Sequence, residues 1–159
     1  MLSGESHGVA AASEAELARA VARISSTFFL RVLGLLSQVQ TGEILTGIVF
    51  QTIIVANTGH LEPASPGVPY DSADGVPSDA DRRPASILSV SGMLGLPYET
   101  TRRHVIKLER AGLCVRGPHG VMVPQAVLLE PRMGGGAATN LANVRRFVRE
   151  LAKVGLRAD

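Results

Sequence analysis

Basic and hydroxyl side chains recur at short intervals between residues 98 and 119. A guanidinium can donate two parallel hydrogen bonds to a phosphate group or to the edge of a guanine base, and a hydroxyl can add a single bond. The side chains with this chemistry are Tyr98, Thr100, Thr101, Arg102, Arg103, Lys107, Arg110, Arg116 and His119. Their types and spacing indicate contact with double-stranded DNA.

Two short helices should position most of these residues. Ser86 is a good N-cap for an apolar run that begins at Ile87, and Gly95 suits the left-handed position after the end of that run. Pro97 fits the first turn of a second helix, so the turn between the helices is about three residues long, as in a helix-turn-helix. We expect the second helix to span about residues 97–111. The face that should be buried consists of Thr101, Val105 and Leu108.

A small β hairpin should follow the second helix. Residues 113–116 and 121–123 are short β-prone runs, and a glycine-bounded turn at 117–120 separates them. We expect His119 at the tip of this hairpin. Residues 83–85, just before the first helix, could add a third short strand to the same sheet.

Residues 94–124 resemble the DNA-binding half of bacterial winged-helix regulators of the GntR, IclR and MarR kinds. The resemblance rests on the run LGLPYETTRRHVIKLERAGL and on the run VRGPHGVMVP that follows it. It implies a dimeric, sequence-specific DNA-binding protein that controls transcription. Tyr98 to Arg103 would read bases in the major groove, and the wing, residues 113–124, would touch the backbone or minor groove through Arg116 to His119. Such regulators usually carry a large effector domain as well, and we expect none of that size here.

The distribution of charge agrees with this assignment. The net charge of the chain is only +2. Residues 1–81 hold three basic and nine acidic residues, a net charge of −6, whereas residues 82–120 hold seven basic and two acidic residues, a net charge of +5. Positive charge is therefore concentrated where DNA contact is expected.

Cysteine content and the N-terminal sequence bear on location. Cys114 is the only cysteine, so the chain has no internal disulfide, and a reducing compartment is expected. The first residues have neither a cationic region nor a sustained apolar core, which does not fit a secretory signal. We expect a bacterial cytoplasmic protein.

The fold class that these patterns predict is mainly α with a small β wing, as a winged helix-turn-helix plus an N-terminal helical hairpin and a C-terminal helix. The expected segments are a disordered tail at 1–12, a helical dimerisation region at 13–57, a flexible acidic Pro/Gly linker at 58–82, the winged helix-turn-helix at 83–124 and a helical extension at 125–159. The linker could instead occupy the basic surface as an autoinhibitor when DNA is absent.

The N-terminal region should contain two helices with more apolar surface than a small domain can cover. One helix begins near Ser13 and becomes apolar nearly all round beyond Phe28, and a second one covers residues 44–55. A homodimer would bury this surface, although an ordinary intrachain core is the alternative, and either helix could be the one that precedes the helix-turn-helix. A membrane is not expected, because residues 44–58 fall short of the roughly 18 to 20 residues that a span needs.

The C-terminal extension should end in a helix over about residues 139–154, after a flexible joint at 133–136. Its apolar stripe is Leu141, Val144, Val148 and Leu151. Its basic side contains Arg146, Arg149 and Lys153, which either grip phosphates or form a solvated face. Residues 125–129 fit a helical turn or a strand extension.

No pattern for catalysis or for a cofactor occurs. The histidines and Cys114 lack zinc-site spacing, and neither a nucleophile elbow, a phosphate loop nor a dinucleotide fingerprint is present. We therefore expect no enzyme, no metal and no cofactor. Two alternatives remain: a winged-helix protein-interaction module, and a ligand-responsive repressor that binds a small apolar effector between the N-terminal helices.

Overall fold

The computed structural model describes residues 13–39, 43–61 and 75–156. It is mainly α with a small antiparallel sheet, which confirms the coarse fold class. The helices are α1 (Glu14–Val39), α2 (Ile44–Thr58), α3 (Ile87–Leu94), α4 (Tyr98–Arg110), α5 (Gln125–Leu128) and α6 (Pro131–Lys153), and the strands are β1 (Val115–Gly117) and β2 (Gly120–Met122). The expected tail at 1–12 and residues 62–74 of the expected linker lie outside the described residues.

Local capping sets the boundaries of α3 and the turn after it. The Ser86 hydroxyl accepts a hydrogen bond from the Ser89 backbone N–H at 3.0 Å, as an N-cap should. Gly95 adopts φ +63°, a left-handed conformation that ends the helix. Because α4 begins at Tyr98, the turn contains the three residues 95–97, as predicted.

One hydrophobic core joins α2, α3, α4 and the hairpin. Val49, Phe50 and Ile53 of α2 are almost fully buried and pack with Val105 and Leu108 of α4. Thr101, Val105 and Leu108 are the buried residues of α4, which confirms its predicted inner face. Of the two possibilities left by the sequence, α2 is the helix that supports α3 and α4, because its central turns face them rather than solvent.

Asn57, at the end of α2, is fully buried and bonds to three backbone groups. Its amide nitrogen donates to the carbonyl oxygens of Arg83 at 2.9 Å and Val121 at 3.1 Å. Its amide oxygen accepts from the Val123 N–H at 3.0 Å. Each of these backbone groups would cost about 1–3 kcal/mol if it were left buried without a partner. The single side chain therefore joins α2 to the hairpin and to the segment before α3.

The predicted third strand is reduced to a single bridge between Ala85 and Val121. Ala85 and Val121 exchange two backbone hydrogen bonds of 2.9 and 2.8 Å. Gly120 beside them has φ +132°, and a Cβ at this position would lie 2.5 Å from the Ala85 carbonyl oxygen. Only glycine allows this close approach of the two backbones.

Residues 76–79 contact the start of α5. Asp79–Asp81 forms one turn of 3₁₀ helix. The Asp79 carboxylate accepts a hydrogen bond of 2.7 Å from the Gln125 backbone N–H, where α5 begins. Arg82 is 5% exposed and donates from Nη1 to the Val123 carbonyl oxygen at 2.6 Å. These bonds hold residues 79–82 beside β2 and α5.

The helix α6 differs from its prediction in length and in orientation. It begins at Pro131, so the predicted joint at 133–136 is wrong and lies inside the helix. The reason is that Pro131 suits a first helical turn, and packing along α1 compensates for the low helix propensity of glycine.

The predicted apolar stripe of α6 does not face the chain. Leu141 is 50% exposed and Val148 57% exposed, whereas Phe147, which the stripe omitted, stacks on Phe28 of α1 with ring centroids 4.6 Å apart. The helices run in opposite directions, because α1 residues before Phe28 lie beside the C-terminal part of α6 and those after it beside Met133. Helix spacing alone left several faces of α6 possible, and the aromatic contact selects one.

Among the described helices, one segment, Glu14–Ser37 of α1, is long and apolar enough to cross a membrane by length and composition. The same property occurs in helices of soluble proteins. This segment contains Arg19, Arg23 and Arg31 and packs along α6.

Candidate nucleic-acid interface

The outer face of α4 carries most of the predicted contact residues. Arg103, Lys107 and Arg110 are exposed, and Tyr98 at the start of the helix is 45% exposed. Arg102 and Thr100 are half-buried at the edge of this face. The helix is held from below by α2 and α3, so its outer face is presented on a rigid support.

Thr101 does not belong to this face. It is 0% exposed, and its hydroxyl donates to the Pro97 carbonyl oxygen at 3.4 Å. Its prediction as a DNA contact is wrong, because the same side chain lies on the buried stripe of α4. A hydroxyl in the core cannot reach a base or a phosphate.

Three of the basic side chains are already paired with acidic residues of the chain. Arg102 Nε lies 2.9 Å from Glu99 Oε2, and Arg116 Nε lies 2.8 Å from Glu109 Oε2. Lys107 Nζ lies 2.8 Å from Glu43 Oε2. Ion pairs at exposed positions add little stability in water, so a phosphate can take the place of the carboxylate.

Two arginines of α4 differ from these three. Arg103 and Arg110 form no ion pair within residues 13–39, 43–61 and 75–156. Their guanidinium groups need not exchange a partner before binding an anion. Arg103 lies in the first half of α4 and Arg110 in its last turn, so they are positioned for different parts of a ligand.

The hairpin carries the remaining two candidates, Arg116 and His119. Val115 pairs with Met122 and Gly117 with Gly120, which leaves Pro118 and His119 as the loop. His119 is exposed at the tip, as predicted. Arg116 extends from β1 towards α4, where it meets Glu109, so the hairpin and the helix share one surface.

A polar network that the sequence did not predict joins α4 to the start of α2. Thr46 is fully buried, and its hydroxyl lies 2.9 Å from Glu43 Oε2 and 2.8 Å from His104 Nδ1. The Glu43 carboxylate also binds Lys107 Nζ through both of its oxygens, at 3.0 and 2.8 Å. His104 and Thr46 are 58 residues apart, so spacing along the chain gives no signal for this contact.

The network defines the proton positions on His104. A hydroxyl has one proton, and Thr46 donates it to Glu43, since a carboxylate only accepts. His104 must then donate from Nδ1 to the Thr46 oxygen. A second proton on the ring would have to bind at Nε2.

Burial and charge shift the pKa values of this network. Burial lowers the pKa of His104 below its usual value, Lys107 lowers it further, and Glu43 opposes both effects less strongly. The hydrogen bond from Lys107 is the main cause that lowers the pKa of Glu43, and the hydrogen bond from Thr46 adds to it. At neutral pH the network therefore contains an ionised Glu43 and a neutral His104.

Cys114 is buried in the core. Burial raises the pKa of Cys114 to about 12, so its thiol stays protonated and unreactive at neutral pH. Within the described part of the chain, no three histidine, cysteine, aspartate or glutamate residues are grouped so that they could hold a metal ion.

No protein-family model, no curated protein and no solved structure matches the chain.

The His104 network predicts how stability depends on pH. Because the pKa of His104 is lower in the folded chain than its usual 6.5, protons bind the unfolded chain more readily. This contribution to the free energy of unfolding is present above about pH 6.5 and is lost as the pH falls through the folded-state value. We expect His104→Asn, which keeps a donor near Nδ1 but cannot titrate, to lose less stability than the wild type between about pH 7.5 and 5.5.

Urea denaturation at the two pH values measures the difference. Glu43 stays ionised in this interval because its lowered pKa lies below 4.5. The control is His119→Asn at the exposed hairpin tip, which should behave as the wild type. An equal loss of stability in His104→Asn and the wild type would contradict the assignment.

Proposed function

We propose that the chain is a sequence-specific, DNA-binding transcriptional regulator that acts as a dimer. The α4 helix serves as the recognition helix in the major groove, and the β1–β2 hairpin serves as the wing on the backbone or minor groove. The observation that carries this proposal is the division of α4 into one buried face and one exposed face that carries Arg103, Lys107 and Arg110.

The order of elements supports the same proposal. A supporting helix, α2, precedes two helices joined by a three-residue turn, and a hairpin with a bridge to Ala85 follows them. This order agrees with a winged helix-turn-helix, in which the second helix of the pair enters the major groove. Arg116 of the hairpin contacts Glu109 of α4, so the hairpin lies beside this helix, as a wing beside a recognition helix would.

The ion pairs suggest different roles for the arginines. Arg103 has no acidic partner among the described residues and lies in the first half of α4, so it is the best candidate for a guanine edge. Arg116 must exchange Glu109 for a phosphate and sits on the hairpin, so it contacts the backbone. Lys107 supports α4 through Glu43 and contributes to DNA binding less than its exposure implies.

Alanine variants separate base reading from backbone contact. We expect Arg103→Ala to cost about 1–3 kcal/mol on the preferred site and to relax the choice of base at one position. Arg116→Ala should weaken binding to all sequences alike and make the salt slope shallower by about one unit per half-site. The measurement is a titration of each variant against a site selected from random duplexes and against a scrambled duplex.

Salt and a matched control complete this experiment. With about 6 to 10 phosphate contacts per dimer, affinity should fall by roughly 10³ to 10⁵ between 50 and 200 mM salt. Arg149→Ala on α6 should have no effect. Loss of sequence discrimination in Arg149→Ala but not in Arg103→Ala would place the recognition helix elsewhere, and an absence of binding at low salt would favour a protein-interaction module.

The dimer is proposed from an apolar side of the α1–α6 pair. Successive residues of a helix are about 100° apart, so Phe29 and Val148, which follow the stacked Phe28 and Phe147, turn to the same side of this antiparallel pair. The exposed fraction is 60% for Phe29, and Leu141 and Val144 lie on the same side as Val148. An uncharged apolar face is complementary to itself, as a two-fold interface requires.

Glutamate substitutions test this interface. We expect the wild type to have the mass of two chains, and Val148→Glu to have the mass of one, because the glutamate would have to be buried without a partner. The control is Leu30→Glu, which replaces an apolar residue of 66% exposure that points away from α6. Size exclusion coupled to light scattering gives the mass, and circular dichroism shows whether the helices remain. A wild-type monomer, or recovery of the chain in membranes, would contradict the proposal.

A second candidate function, a repressor that responds to an apolar ligand, is favoured by a cavity of about 480 Å³. It lies between α1, α2 and α6, and most of its lining is apolar, with the amides of Gln51 and Asn140 as polar groups. Its volume falls within the roughly 300–1,000 Å³ of small-molecule sites. Phe50 lines the cavity and belongs to the core beneath α4, so a ligand there would act on the support of the recognition helix.

Filling the cavity separates this candidate from simple DNA binding. We expect indole, as a neutral apolar probe, to change the DNA affinity of the wild type but not of Ala137→Phe, in which the new ring occupies the cavity. Ala138→Phe, at the next residue of the same helix and outside the cavity lining, is the matched control and should keep the response. An unchanged DNA affinity of the wild type at saturating indole would count against this candidate.

A further inference from the structure

A second cavity, of about 240 Å³, lies between α1 and α6, where residues 23–31 of α1 meet residues 146–150 of α6. Phe28 and Phe147 line it, and their rings are stacked with an interplanar angle of 23°. Arginines line the same cavity from both helices: Arg23 and Arg31 from α1, and Arg146 from α6. The cavity therefore combines an aromatic wall with three guanidinium groups. We call it the arginine groove.

Helix geometry explains why these arginines meet. Arg23, Thr27 and Arg31 are spaced by four residues and share one stripe of α1. Arg146 immediately precedes Phe147 and so turns to the same side of the pair as Thr27, which precedes Phe28. This side is opposite to the apolar side that contains Phe29 and Val148. A second copy of the chain that covers the apolar side leaves the groove open.

The described residues do not balance the charge of the groove. Within the three described segments, none of Arg23, Arg31 and Arg146 forms an ion pair. The acidic residue that lines the groove is Glu150, whose carboxylate lies 3.0 Å from Lys153 Nζ. The hydrogen bond from Lys153 is the main cause that lowers the pKa of Glu150. Glu150 is paired with Lys153 and also attracts Arg146 at longer range, so among the described residues that line the groove three arginines face one shared carboxylate and the positive charge is in excess.

The other polar group in the groove does not compete for an anion. The Thr27 hydroxyl donates to the Arg23 carbonyl oxygen at 2.8 Å, so its single proton is used within α1. The donors available to a ligand are the guanidinium groups, whose planar forks match the oxygens of a carboxylate or a phosphate.

We propose that the arginine groove binds a small organic anion that carries a carboxylate or phosphate group on a planar aromatic ring. The oxyanion pairs with the arginines, and the ring packs against Phe28 and Phe147 in an offset-stacked or edge-to-face arrangement. The volume is smaller than that of most drug-sized sites, which limits the ligand to one small molecule. The site uses no residue of α4 or of the hairpin, so it is independent of the proposed DNA contacts.

Naphthalene derivatives provide a direct probe, because the chain contains no tryptophan that would obscure their fluorescence. We expect the full chain to raise the fluorescence anisotropy of 1-naphthoate or 1-naphthyl phosphate in a saturable manner. The tighter of the two identifies the oxyanion that the groove prefers. Neutral 1-naphthalenemethanol should bind at least about tenfold more weakly, since it lacks the charge-assisted hydrogen bonds. Equal affinity for the neutral compound, or no saturation by either anion, would overturn the proposal.

Variants locate the binding. Arg31→Gln and Arg146→Gln should each lower the affinity for the tighter probe by about tenfold or more, because each removes hydrogen bonds from a charged donor. Arg149→Gln, on the same helix but outside the groove, is the matched control and should leave the affinity unchanged. If Arg149→Gln were as damaging as Arg146→Gln, the binding would reflect net charge alone and the proposal would fail.

Two further measurements test the ring and the relation to DNA. Phe28→Leu should weaken the naphthyl anions while inorganic phosphate still competes at its wild-type concentration, and circular dichroism shows that the helices are retained. Duplex DNA should not displace the probe from the wild-type chain. Displacement by DNA would assign the groove to the nucleic-acid surface instead, whereas failure of probe binding would leave the Arg103 and Arg116 predictions unaffected.

Discussion

The arrangement of the candidate DNA surface depends on the buried amide of Asn57. Both α4 and the hairpin must be held in one orientation, and they share an apolar core as well as the ion pair of Glu109 with Arg116 at the surface. Asn57 adds a directional connection in the interior, because α2 packs beneath α4 while the amide binds the backbone of Arg83, Val121 and Val123. A fully satisfied buried amide fixes one geometry, since any shift leaves polar groups without partners.

The net charge of residues 82–120 overstates the number of basic side chains that could bind a phosphate without first leaving an ion pair. Glu99, Glu109 and Glu43 each hold one of the basic groups on α4 or the hairpin. Binding a phosphate at these positions exchanges one anion for another, so the gain is smaller than at a cation that is only hydrated. Arg103 and Arg110 have no carboxylate partner among the described residues, so a phosphate would bind them without displacing another anion. The acidic residues thus concentrate recognition on a few side chains instead of spreading it over the whole basic segment.

Sequence predicted the elements that short-range chemistry determines. The ends of α3 follow from Ser86 and Gly95, the buried face of α4 from residue spacing, and the hairpin from its glycine-bounded turn. Contacts between distant segments were not predictable in this way. The Thr46–His104 bond and the Phe28–Phe147 stack depend on how helices pack, and several packings fit the same periodicity. For that reason the predicted apolar stripe of α6 does not face α1, and Thr101 was predicted both as a core residue and as a DNA contact. DNA binding and dimerisation stay predictions.

The α1–α6 pair has an apolar side and a basic side. The second copy of the chain and the aromatic anion, which we propose as partners, would therefore bind at separate sites. A second copy on the side of Phe29 and Val148 would fix the distance between the two supporting α2 helices, because α1 packs on α2. An anion on the side of Arg31 and Arg146 bridges α1 and α6, so it changes how firmly the two helices are held together without blocking the second copy. Any effect of that anion on DNA binding would therefore have to arise from a change in how α1 packs against α6. It would alter the spacing of the recognition helices before it altered the contacts of either one.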